Sequence, residues 1–77
     1  MKIQLISFGK ISEFLHSQQL ELEGISDTDQ LKAYLESNFI KLAALKYKLA
    51  LNKILIQENT PLNSGDSIAI MPPFSGG

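Results

Sequence analysis

Hydrophobic and polar positions alternate along much of this chain, and one stretch near its middle shifts to a helical period. Residues 2–8 place Ile3 and Leu5 on one parity and Ile6 and Phe8 on the other. Apolar side chains on both faces predict a strand near the centre of a sheet. Gly9 breaks it, and Lys10–His16 reads as a short helix turning Ile11, Phe14 and Leu15 inward. Residues 18–23 alternate through Leu20 and Leu22, which predicts a half-exposed strand closed by Gly24. Asp27 then stands where a helix N-cap belongs, with Gln30 three residues on as its capping-box partner. Leu31, Tyr34 and Leu35 follow at helical spacing. They give a principal helix over residues 28–37, stopped near Asn38. Phe39–Leu45 is ambiguous, with Phe39, Leu42, Ala43 and Leu45 able to form a second short helix.

Tyr47, Leu49 and Leu51 restore the period of two and predict a strand. Asn52-Lys53 turns the chain, because asparagine tolerates positive φ. Residues 54–57 return as another strand, and 58–66 form a loop with turns at Pro61-Leu62 and Ser64-Gly65-Asp66. Ser67–Met71 is the last strand. Pro72 and Pro73 end it, since neither can donate a ladder hydrogen bond. The order is that of an α+β domain: a mixed sheet of about five strands with one main helix and one or two short ones. The first and last strands are the most apolar, so both should be central. They would run parallel if the long helix supplies the crossover. One domain over residues 1–77 is expected, with a flexible tail at 74–77.

Composition narrows the function. The chain has 77 residues and no cysteine, so neither a disulfide nor a thiolate–metal site can staple it. At 44% hydrophobic it holds enough apolar material for one core. Its net charge is −1 and its lysines are spread from Lys2 to Lys53 without an arginine. That argues against nucleic acid, which calls for a basic stripe. No apolar run approaches the roughly 20 residues of a membrane span, and residues 1–5 lack the form of a signal peptide. A cytoplasmic protein is the default expectation.

Few residues offer chemistry. His16, the only histidine, has no ligand partners at suitable spacing and reads as a surface residue. Asp27 and Asp29 are accounted for by a helix start, where the dipole favours negative charge. No catalytic triad, phosphate loop or dinucleotide fingerprint is present. Two features remain. Phe8, Ala69 and Met71 share the parity opposite to the core, and together with Phe74 suggest an apolar docking surface. The chain also ends Met71-Pro72-Pro73-Phe74-Ser75-Gly76-Gly77. Prolines make a stiff, extended base. Ser75, Gly76 and Gly77 make a thin tip that a narrow slot can admit. The chemistry open to such a tip is that of its carboxylate. Adenylation by ATP would supply a leaving group. Attack by a sulfur donor would then give a thiocarboxylate, and attack by a lysine would give an isopeptide bond.

Leu51-Asn52, then Pro61-Leu62-Asn63-Ser64-Gly65-Asp66, and above all the MPPFSGG tail resemble the small subunit of molybdopterin synthase. That family consists of β-grasp, ubiquitin-like sulfur carriers. The likeness spans essentially the whole chain: Phe8-Gly9 falls where the family's first strand ends, and Asp27–Leu35 where its main helix starts. It implies that a ubiquitin-activating-type enzyme adenylates Gly77 with ATP, and that a sulfur donor protein converts it to a thiocarboxylate. The tail, Pro72 to Gly76, would then enter the large synthase subunit within a heterotetramer. There the sulfur passes to cyclic pyranopterin monophosphate to build the molybdopterin dithiolene. Phe8 and Met71 match apolar residues that contact partners in the family. The small subunit is not catalytic alone and holds no resident cofactor. One departure is visible, since Ser12 precedes Glu13 where the family often has an arginine. Three other readings stay open: the sulfur carrier of thiamin biosynthesis, which usually lacks the Pro-Pro spacer, a ubiquitin-like modifier, and a plain interaction module.

Overall fold

The computed structural model describes residues 1–73. In chain order the elements are β1 (Lys2–Ser7), a 3₁₀ turn (Gly9–Glu13), β2 (Gln18–Glu21), α1 (Thr28–Asn38), α2 (Ile40–Ala43), β3 (Lys48–Leu51), β4 (Ile54–Ile56) and β5 (Ser67–Met71). The five strands form one sheet in the order β2-β1-β5-β3-β4. β1 and β5 are therefore interior neighbours, as their composition demands, and they pair in parallel. The remaining ladders are antiparallel.

Alternation decides which side chains meet α1. Ile3 and Leu5 of β1 and Ile68 and Ile70 of β5 are fully buried, and Leu31 and Leu35 of α1 join them in one core. Ile11, Leu15 and Leu42 reach the same core from the short helical segments. The segment after Gly9 is a 3₁₀ turn that ends at Glu13, shorter than the helix expected to His16. Ile11 and Leu15 are buried as expected, while Phe14 is only partly covered. The polar Ser7 occupies the next inward position of β1. It is satisfied there, donating its hydroxyl to Leu15 O at 2.6 Å.

α1 starts where its cap chemistry puts it. Asp27 Oδ1 accepts from Gln30 N at 2.8 Å. The reciprocal bond departs from the expected box: Gln30 Oε1 accepts from the amide of Ser26, one residue before the cap. The loop over residues 58–66 adds a strap here. Thr28 Oγ1 accepts from Thr60 N, and Asn59 Oδ1 accepts from Asp29 N, each at 2.9 Å. At the far end Asn38 is the last helical residue, and the Phe39 amide closes on Leu35 O.

A polar clasp fixes the loop to the start of β5. Asn52 Oδ1 accepts from Ser67 N at 2.9 Å, and Asn52 Nδ2 donates to Asp66 Oδ1 at 3.1 Å. Asp66 Oδ2 accepts from Asn63 N at 2.8 Å. Gly65 has φ +93°, a left-handed conformation costly for any residue with a Cβ, and its amide donates to Lys2 O. The motif residues Asn52, Asn63, Ser64, Gly65 and Asp66 thus have a structural role. They lie at the opposite end of β5 from Pro72.

Candidate functional site

The C-terminal strand leads out of the middle of the sheet. In the parallel β1–β5 ladder the amide of Phe8 donates to Ile70 O at 3.0 Å. The next ladder bond would need an N–H on residue 72, and Pro72 has none. Pairing stops at that residue, so the chain leaves the sheet there. Pro72 is half-buried and Pro73 is exposed. Pro73 borders an open depression shared with Leu45, Lys46, Tyr47 and Lys48. Phe74, Ser75, Gly76 and Gly77 lie outside the described residues, so the expected reactive group and the tip that carries it are known from the sequence alone.

Beside this exit is the sheet face turned away from α1. Ladder registers set Ile6 beside Ala69, Ala69 beside Ala50, and Ala50 beside Leu55. These four residues make one apolar row across four strands. Met71 pairs with Lys48, and Phe8 follows Ser7 at the end of β1. Phe8 is 50% exposed and Leu55 41%, while two alanines keep the middle of the row flat. The structure therefore brings Phe8, Ala69 and Met71 onto one face, next to the base of the tail. Ala50 and Leu55 belong to the same face and were not singled out from the sequence. Ala50 falls between Leu49 and Leu51, which both pack on the core, so the face it joins becomes clear only once the β3–β5 register is known.

The depression beside Pro73 also takes in Lys32 and Glu36, so charged groups gather on this side of the exit. The hydroxyl of Tyr47 donates to Glu36 Oε2, and Lys32 Nζ sits 5.9 Å from the centre of the Tyr47 ring. Burial pushes the Tyr47 phenol above its ordinary value of 10.0, and the hydrogen bond and charge of Glu36 push it further. A hollow of about 240 Å³ lies between the start of α1 and the β3–β4 hairpin, bordered by Asp29, Lys32, Tyr47 and Glu58. His16 is exposed. Among the described residues no three His, Asp or Glu side chains converge on a point that could hold a metal. No helix among them is long and apolar enough to cross a membrane.

Ser12, which stands where the resemblance leads one to expect arginine, donates its hydroxyl to Gly9 O at 2.7 Å. It thus closes the 3₁₀ turn upon itself.

Comparison with known proteins agrees with this architecture. The family model described as the ThiS family matches residues 5–77. Among solved structures, a chain of the protein–protein complex of subunits 1 and 2 of molybdopterin-converting factor from Helicobacter pylori is 30% identical. Each of the two chains is covered in full, with a TM-score of 0.73. A protein described as molybdopterin converting factor, subunit 1, from Pyrococcus furiosus superposes with a TM-score of 0.83 at 15% identity, over 95% of this chain and 98% of the other. SAMP1 from Haloferax volcanii has a TM-score of 0.77 at 16% identity, with both chains fully covered. No curated protein matches the sequence significantly. The five-stranded sheet around one main helix, with a family match that runs to Gly77, shows that the chain belongs to the ThiS family and has the β-grasp fold of its sulfur carriers.

Proposed function

We propose that this protein is the sulfur-carrying small subunit of a molybdopterin synthase, with the carboxylate of Gly77 as its reactive group. One observation carries the reading. The Gly-Gly terminus follows a Pro72-Pro73 base set at the end of the central strand, beside an exposed apolar face. Likeness to a chain from a complex of the two converting-factor subunits supports it.

The chemistry follows from the carboxylate. A carboxylate oxygen of Gly77 attacks the α-phosphorus of ATP on a separate activating enzyme, and pyrophosphate leaves. The resulting acyl-adenylate is electrophilic, with AMP as its leaving group. The outer sulfur of a donor protein's persulfide attacks the carbonyl carbon and AMP departs, leaving an acyl disulfide. A thiol then cleaves its S–S bond, forming a disulfide with the donor and releasing the terminus as a thiocarboxylate. Because the chain has no cysteine, that terminus is where it can carry reactive sulfur. The face bearing Phe8, Ala69 and Met71 docks on the large synthase subunit, while Phe74, Ser75 and Gly76 let the tip pass into that subunit's active site. There the sulfur is transferred to cyclic pyranopterin monophosphate.

Intact-mass measurement tests this. The protein is incubated with ATP, an activating enzyme and a sulfur donor, and the C-terminal peptide is weighed. Exchange of one oxygen for sulfur at Gly77 is the expected result. An unchanged mass under conditions that load a known carrier would sink the reading, and lysine-linked adducts would replace it with that of a protein modifier.

A further inference from the structure

The corner between β1 and the 3₁₀ turn touches the base of the tail. Gly9 has φ +61°, and a Cβ placed on it would lie 2.9 Å from Pro72 Cγ and 3.3 Å from Pro72 Cδ. Gly24, at φ +75°, has a similar backbone but nothing within 4 Å of such a Cβ. The two glycines therefore differ in contact and not in conformation. Gly9 lies one residue past Phe8, whose amide makes the last β1–β5 bond before Pro72. Pro72 brings no N–H to that point, so its direction is not fixed by a further ladder bond. What remains to fix it is the pyrrolidine ring seated on the bare backbone of Gly9. The Ser12 hydroxyl holds the Gly9 carbonyl at 2.7 Å and so keeps that backbone in place.

We infer that Gly9 is a positioning residue for the tail: its missing side chain is the seat of Pro72 and sets the direction in which the chain leaves the sheet. The inference rests on the carrier reading for its functional consequence, though not for its geometry. A Cβ at position 9 displaces the proline ring by a few tenths of an ångström at its root. The stiff Pro72-Pro73 base carries that displacement to the start of the tail. Misplacement of a reacting atom by about 1 Å costs up to about a hundredfold in rate.

The test compares Gly9→Ala, Gly9→Asn and Gly24→Ala in the full chain. Asparagine tolerates left-handed φ better than alanine but carries the same Cβ. The seat predicts that both Gly9 variants lose at least about tenfold in the rate of thiocarboxylate formation, with Gly24→Ala close to wild type. In a Pro72→Ala background the same Gly9→Ala change should cost no further activity, because the ring it strikes is gone. Equal losses in Gly9→Ala and Gly24→Ala, or recovery in Gly9→Asn, would mean that backbone strain is responsible and would overturn the inference. A second readout does not depend on function. The chain has no cysteine, so Ser75→Cys takes a single nitroxide label, and amide broadening maps the region it visits. A changed map in Gly9→Ala supports the seat, and an identical map refutes it. If the wild-type chain accepts no sulfur, the carrier reading falls while the broadening map still decides the role of Gly9.

Discussion

At the scale of single residues, the polar side chains of this protein are placed by need of a partner. Ser7, buried at the inward end of β1, meets the carbonyl of Leu15. Thr28 is almost fully buried and takes the amide of Thr60. Such bonds matter because a buried group left alone costs about 1–3 kcal/mol. Tyr47 extends the same logic to pH. Its phenol is protonated when it donates to Glu36, and its pKa in the folded state lies above the ordinary 10.0. A raised value means that the native state binds this proton more tightly. The contribution is therefore whole below about pH 10 and is lost as the pH rises beyond it. Tyr47→Phe should lower stability at neutral pH and reduce the decline at alkaline pH. Urea unfolding at about pH 8 and about pH 11 checks this. A wild-type decline matched in full by the phenylalanine variant would show that Tyr47 plays no part in it.

At the scale of elements, the order of the five strands and the main helix follows from period and cap residues, with their boundaries within two residues of those expected. β5 was legible to the residue, because Ser67–Met71 alternates between a turn motif and two prolines. The 3₁₀ turn was not: three apolar residues in seven fit a helix or a tighter turn equally, and the segment observed is a 3₁₀ turn that ends at Glu13. The β3–β4 hairpin shows a cost that the pattern hides. Asn52 and Lys53 both have positive φ, at 48° and 74°. Asparagine is at ease there and lysine is not, since a left-handed residue with a Cβ costs about 1–2 kcal/mol. Lys53→Gly should relieve that strain and return part of the gain as backbone entropy. A net stabilisation of about 0.5 kcal/mol, with a melting temperature raised by roughly 2–4 °C, is expected. Calorimetry checks it, and a lower melting temperature would contradict it.

At the scale of the whole molecule, one strand joins two different tasks. The start of β5 is held by the clasp of Asn52, Asn63 and Asp66, and its end delivers Pro72 beside Gly9. A rigid centre fixes where the tail begins, and under the proposed carrier function a side-chain-free end is what would let the carboxylate enter a slot. Replacing Gly76 with tryptophan, or adding residues after Gly77, should abolish sulfur transfer. The melting temperature should stay within about 1 °C, because the buried core among the described residues is built from positions between Ile3 and Ile70. Single-turnover transfer assays with melting curves on the same samples check both halves, and full transfer by Gly76→Trp would show that no narrow slot exists.

The sequence alone determined the five strands and the main helix, the central place of the first and last strands, the shared parity of Ile3 with Leu5 and the helical spacing of Leu31 and Leu35, and the Gly-Gly end after two prolines. These follow from local spacing and from the conformational limits of proline and glycine, which any stretch of chain carries with it. Only the tertiary structure decided which residues share the outer face, because Ala50 and Leu55 meet Ala69 through ladder registers and not through chain proximity. It alone set Gly9 against Pro72, residues from the two ends of the chain. In sequence Gly9 only breaks a strand. Parallel pairing of β1 with β5 brings its bare backbone beneath the proline ring, and that contact exists in neither segment by itself.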